Sequence, residues 1–144
     1  TCRSRHTDTL PMGHNRRQNG EANRQWGKVA EQIAVEHLFK EGYSVREREW
    51  KCGNHIEIDI IAEKEFMIVF VEVKARKGDH EDPLDAVNNT KRSKMVKGAD
   101  IYMSNLPMQY QHRFDIITIT GTADHHTLEH IEDAFLPPLN GRWQ

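Results

Sequence analysis

The chain has 144 residues, 29% of them charged and 37% hydrophobic, with a formal net charge of −2. That length suits one domain with a real core. No apolar run reaches the length of a membrane span, and two cysteines are too few for a disulfide framework or a four-cysteine zinc site. The opening "TCRSRHTDTL" lacks the apolar region of a secretory signal. A cytoplasmic location with a reducing interior is the expectation.

Residues 1–22 have no hydrophobic period and are rich in Arg, Asn and Gly, which predicts a disordered N-terminal arm. A single domain is expected over 23–136, followed by a tail over 137–144. Trp26, Val29, Ala30, Ile33, Ala34 and Leu38 recur at a helical period, predicting a helix from Trp26 to Lys40 that stops at Gly42. "YSVREREW" alternates as a half-exposed strand, and "KCGN" is a turn. Residues 56–62 and 66–75 are rich in Ile, Val and Phe. They form a predicted hairpin linked by "EKE". A loop "GDHEDP" precedes a second helix within 84–104. "RFDIITIT" is a further strand, and "TLEHIEDAF" adds a short one. Helix, three strands, helix and strand make an α/β (α+β) layered domain, a mixed central sheet flanked by helices.

The hairpin carries charges where core residues are expected. With "EKE" at the turn, opposed residue numbers sum to about 130, and Asp59 with Glu72 gives 131. Two carboxylates then face each other across strands, roughly 5 Å apart at Cβ. Lys74 follows two residues after Glu72, on the same face. Two readings fit this spacing. One is a salt bridge of Lys74 with Glu72 or Asp59 at a strand end. The other is a site for a hard divalent cation, Mg²⁺ or Mn²⁺, held by one or two carboxylates with water and phosphate completing its shell. Such a site suits phosphodiester hydrolysis with no side-chain nucleophile. On the first helix, Glu31 projects between Val35 and Leu38 inside the apolar arc, a third inward acid that needs a partner. Glu57, two residues before Asp59, is an auxiliary acid or a fold residue. Basic residues cluster around Lys28 and again at Lys91, Arg92, Lys94 and Lys97, as solvated faces or phosphate contacts. His125, His126 and His130 have metal-like spacing, but a polar surface strand is the better reading.

"GKVAEQIAVEHLFKEGYSV", "EIDIIA", "VFVEVKAR", "KRSKMVKGADIYM" and "RFDIITI", in this order, resemble the YraN-like family of small bacterial proteins. That family falls in the PD-(D/E)XK nuclease superfamily and is similar in pattern to archaeal Holliday-junction resolvases. The resemblance runs from about Gly27 to Phe135. It implies a restriction-endonuclease-like core, and a Mg²⁺- or Mn²⁺-dependent nuclease acting on DNA at branched repair or recombination intermediates. It places the metal-binding acids at Asp59, Glu72 and Glu31, with the Val73 carbonyl as a main-chain ligand and Lys74 as the catalytic lysine. It puts Lys91 against phosphate, with Lys94 and Lys28 as further nucleic-acid contacts. A homodimer would suit a twofold junction. Ile58 stands where the superfamily name has proline, Ile56 where many relatives have Gly, and Glu49 where Asn is common. The alternative expectation is a non-catalytic nucleic-acid-binding or scaffold protein that keeps the nuclease fold, for which the slightly acidic net charge speaks.

Overall fold

The structure, a computed structural model, describes residues 2–3, 18–78 and 88–137. After a two-residue strand β1 (Cys2–Arg3) come α1 (Gln18–Lys40), β2 (Ser44–Cys52), β3 (Ile56–Lys64), β4 (Met67–Arg76), α2 (Asn89–Ser104), β5 (Gln111–Gly121) and β6 (His126–Ile131). The strands form one mixed sheet in sequence order, with β4 and β5 parallel and the other neighbours antiparallel. This is the expected helix, three-stranded meander, helix and strand, extended by β6. The expected disorder of residues 4–17, the "DHEDP" loop and most of the tail lie outside the described residues. Among the described residues, no helix is long and apolar enough to cross a membrane. β1 sets Cys2 in register with Cys52.

α1 begins at Gln18 rather than Trp26, so it takes in the last five residues of the expected arm. Its first two turns, "QNGEANRQ", are polar. They are stabilised by Glu21 in the first turn, where the helix dipole favours an acid, and by the Glu21–Arg24 ion pair three residues apart. The helix stops as the glycine predicts. Gly42 adopts φ 94°, its N–H donates to the Phe39 carbonyl, and the Tyr43 N–H reaches back to Leu38 at 2.9 Å. This is a Schellman cap, and it turns the chain directly into β2.

The sheet is covered on both faces. Ala30, Ala34 and Leu38 of α1 pack on Ile60, Ala62, Val69, Val71, Ile117 and Ile119. Met95, Ala99 and Tyr102 of α2 pack on Trp50, Ile58, Ile61, Ile68, Phe70, Phe114 and Ile116. β4 is apolar on both sides for this reason, as a strand with helices over both faces must be. Gly98 lets α2 settle closely: a Cβ there would stand 2.8 Å from Ile56 Cγ2 and 3.1 Å from Ile58 Cδ1.

The hairpin turn is tighter than "EKE". Glu63 and Lys64 belong to β3, and Glu65 and Phe66 alone make the turn, both with positive φ (52° and 63°). Such a two-residue turn matches the twist of its strands. The register is the one expected: Ile60 pairs with Val71 and Lys64 with Met67.

β5 and β6 are tied to α1 by one polar network. Asp115, fully buried, accepts from Arg113 Nε (2.8 Å), His130 Nε2 (2.7 Å) and the Asp133 N–H (3.0 Å). His130 Nδ1 lies 3.0 Å from His37 Nε2 on α1, and Arg113 donates to the Tyr43 hydroxyl. His130 is therefore a structural residue. His126 contacts the Thr122 and Ala123 carbonyls of its own turn, so the three histidines do not converge.

Two outcomes are expected. Gly98→Val should lower stability by about 2 kcal/mol through overpacking against Ile56 and Ile58, read as a fall of several degrees in Tm. Asp115→Ala should cost about 3 kcal/mol at pH 7, because it strands half-buried Arg113 and His130 without their acceptor. Burial raises the Asp115 pKa, but its hydrogen bonds from His130 and Arg113 outweigh that and hold it below its ordinary value. Its contribution is therefore present above the unfolded carboxyl pKa of about 4 and is lost as pH falls through the lower folded value. Urea melts from pH 7 down to pH 2 should show the gap between Asp115→Ala and wild type closing at the acid end.

Candidate metal and phosphodiester site

The inner strands of the sheet part company at the charged end of the hairpin. β3 pairs with β4 only from Ile60 to Lys64, while it pairs with β2 from Ile56 to Glu63. β4 pairs with β5 along its whole length, Glu72 opposite Ile116 and Lys74 opposite Thr118. Beyond Ile60 and Val71 the sheet therefore opens as a fork, with Asp59 on one prong and Glu72 on the other.

The side-chain alternation of β3 breaks at the same place. Ile56 and Ile58 face α2, whereas Ile60 and Ala62 face α1. In a regular strand Ile58 and Ile60 would share a face. Glu49, between the β2 residues that pair with them, has a positive φ of 47°, an uncommon conformation for a residue with a side chain. The kink frees the Asp59 carboxylate to work in the plane of the sheet. Its Oδ2 accepts the Val73 N–H at 2.9 Å, doing what a strand carbonyl would have done. A strand residue presents its N–H and C=O to the same edge, so the Val73 carbonyl, the expected main-chain ligand, faces the fork as well.

Glu72 is largely buried beside Asp59, and its Oε1 has no hydrogen-bond partner. Lys91 Nζ, from the first turn of α2, lies 3.6 Å from that oxygen. Burial, and then the Asp59 charge, push the Glu72 carboxyl up to about 8, against the pull of Lys91. Burial likewise raises Asp59, opposed by the Val73 N–H and Lys91. Two adjacent carboxyls that resist losing both protons, one with a buried oxygen that makes no hydrogen bond, suit a hard divalent cation bound through oxygen. Asp59, Glu72 and the Val73 carbonyl are the groups that would hold it.

Glu31 approaches from α1 as its helical phase predicts. Burial, then the charges of Asp59 and Glu49, push it up to about 7. It is not held free for a metal, since Arg48 of β2 donates to its Oε1 from Nε at 3.2 Å. Among the described residues, no group of three or more His, Cys, Asp or Glu side chains is arranged to hold a metal ion. The site is thus a carboxylate pair with Glu31 standing off, rather than a three-acid cage.

Lys74 lies on β4 beyond Glu72, exposed. Among the described residues, the salt bridge to Glu72 is made by Lys91 rather than Lys74. Sequence reasoning had placed Lys91 against phosphate. Its reach to Glu72 was not legible, because it depends on how α2 docks. Lys94 lies one turn further along α2 and Lys28 one turn before Glu31 on α1, both half-buried. Glu57, half-buried and in register with Lys51, adds its charge against Asp59. Arg48 is the site residue that sequence reasoning missed. "REREW" alternates charges without marking which one turns inward.

With metal chelated, Glu72→Gln should stabilise the protein at pH 8. The Glu72 carboxyl goes from 4.5 in the ordinary state to about 8. A raised value means that stability present below the unfolded pKa is lost as pH rises through the folded one. The amide removes that loss. A Tm gain worth about 1–2 kcal/mol is expected at pH 8, vanishing near pH 4.5. If the wild-type carboxylate pair holds Mg²⁺, saturating Mg²⁺ should narrow the gap at pH 8.

Residues 30–119 match the profile of the "Uncharacterised protein family UPF0102", a span that contains Glu31, Asp59, Glu72, Lys74 and Lys91. A UPF0102 protein of Phocaeicola vulgatus is 40% identical over 116 residues, covering 80% of this chain and 95% of the relative. One from Bacteroides thetaiotaomicron is 42% identical over 114 residues (78% and 93%), and one from Caldanaerobacter subterraneus 43% over 114 (76% and 93%). This agrees with the YraN-like resemblance, and the chain belongs to the UPF0102 family.

Proposed function

We propose that this chain is a divalent-metal-dependent endonuclease that hydrolyses DNA phosphodiesters, with branched repair or recombination intermediates as its substrates. One observation carries the reading: the fork sets Asp59 and Glu72 side by side and leaves a buried Glu72 oxygen without a hydrogen-bond partner. An apolar alternative at either position would be cheaper for folding alone. Asp59, Glu72 and the Val73 carbonyl would hold Mg²⁺ or Mn²⁺. A bound cation supplies Lewis acidity and lowers the pKa of water, so hydroxide becomes available near neutral pH.

The chain's own residues do the rest. Glu31, raised to about 7 by burial and then by the Asp59 charge, would take a proton from an attacking water near neutral pH. Lys74, exposed on β4 two residues beyond Glu72, would stabilise charge developing on a phosphate. Lys91 and Lys94 on α2 and Lys28 on α1 would bind backbone phosphates. The branched substrate comes from the family resemblance.

A second reading has its own support. Glu31 is paired with Arg48, and no three-acid metal cluster stands ready among the described residues. A non-catalytic DNA-binding or scaffold protein on the same fold would look like this.

Purified protein incubated with linear duplex, single-stranded and four-way-junction DNA, with Mg²⁺ or Mn²⁺, separates the two. Cleavage is expected, with Asp59→Ala and Lys74→Ala each lowering its rate about 10²-fold or more. Cleavage unchanged by both would remove the site from the reaction. Binding without cleavage, with a salt slope that falls in Lys91→Ala, would favour the scaffold.

A further inference from the structure

Lys91 forms an ion pair with Glu72, one of the two fork acids. Its backbone is fixed where α2 starts. Asn88 caps the helix and its side chain accepts the Lys91 N–H at 2.9 Å. The helix itself is seated on β3 through Gly98, close to Ile56 and Ile58. What can move is the side chain. Its side chain is one-third exposed, and its ammonium stands 3.6 Å from Glu72 Oε1, too far for a hydrogen bond. The pair is held by charge attraction without a hydrogen bond to fix its geometry. It is well suited to cover a buried carboxylate for a time and then leave.

We infer that Lys91 is the counter-ion of the metal-free site, and that its ammonium and a divalent cation occupy the Glu72 carboxylate by turns. The inference rests on the metal site proposed above. It gives Lys91 two positions: against Glu72 when no cation is bound, and swung toward the open end of the fork when one is. In the second position the ammonium has lost its carboxylate and is free for a phosphate. Cation and polyanion then help each other to bind, because each favours the same lysine position. Lys74 plays no such part, since the ion pair to Glu72 belongs to Lys91.

Calorimetric titration of Mn²⁺ into the full chain tests this, using wild type, Lys91→Met, Lys91→Gln and Asp59→Asn. Removing a nearby positive charge should tighten Mn²⁺ binding about tenfold in Lys91→Met and Lys91→Gln, while Asp59→Asn loses it. Binding that is equal or weaker in both Lys91 variants, yet still lost in Asp59→Asn, would overturn the inference and leave the metal site standing. No binding to wild type or to either Lys91 variant would overturn the metal site and the inference together. Should both variants fail to fold, NMR on wild type decides. Mg²⁺ should move the Lys91 side-chain Cε–Hε signals toward those of a free lysine, and signals that stay put while the Asp59 and Glu72 carboxyl carbons shift would overturn it.

Discussion

The site depends on one hydrogen bond, from the Val73 N–H to the Asp59 carboxylate. Where β3 and β4 separate, an inward main-chain donor loses its strand partner, and a buried donor cannot be left unmade. A side-chain oxygen replaces the missing carbonyl. This fixes Asp59 within the sheet rather than on either face, and it holds the prongs close enough that Glu72 is buried beside a second acid. The fork, the kink at Asp59 and the left-handed backbone at Glu49 are aspects of one arrangement. Any two of them without the third would leave a donor unpaired or a charge in an apolar core.

Crowded acids need positive charge, and each inward acid takes it from a different element. Glu31 on α1 is held by Arg48 on β2. Glu72 on β4 is approached by Lys91 on α2. Asp59 has the main-chain dipole of Val73. The contrast with Asp115 is instructive. That carboxylate is fully buried, yet Arg113, His130 and a main-chain N–H satisfy it and its pKa is lowered. Asp115 is finished as a structural group, whereas Glu72 retains an oxygen with no hydrogen bond. Incomplete satisfaction separates the candidate site from the structural network.

Much of this was legible in the sequence. Two runs rich in Ile, Val and Phe on either side of a short polar link marked the hairpin. The turn fixed the register that sets Asp59 near Glu72, since the side-chain period of a strand leaves little freedom. Helical phase placed Glu31 on the inner face, and Gly42 marked the stop. What could not be read falls into two kinds. The early start of α1 carries no hydrophobic signal, because "QNGEANRQ" is held by local charge pairs and helix propensity and not by burial. The pairings of Lys91 with Glu72, Arg48 with Glu31 and His130 with Asp115 and His37 join residues 15 to 93 positions apart. Such contacts come from docking of elements, and the local pattern around each residue is silent about them. Lys74 shows the converse case: its spacing after Glu72 was read correctly, but the pairing suggested by proximity in sequence went to a lysine from elsewhere.

The parallel pairing of β4 with β5 bears on how the molecule comes into being. β2, β3 and β4 are joined by short turns and can zip locally. β5 cannot pair until α2 has crossed the sheet, so its closure is the non-local step, and non-local steps are slow. Glu72 is inside this late interface, opposite Ile116. During synthesis the Asp59 prong can form while β5 is still being made. The second prong is exposed at an open sheet edge until the last strands arrive. The acid pair is therefore assembled late, and a chain cut short before β5 would keep most of the charged residues and lack the burial that sets their chemistry.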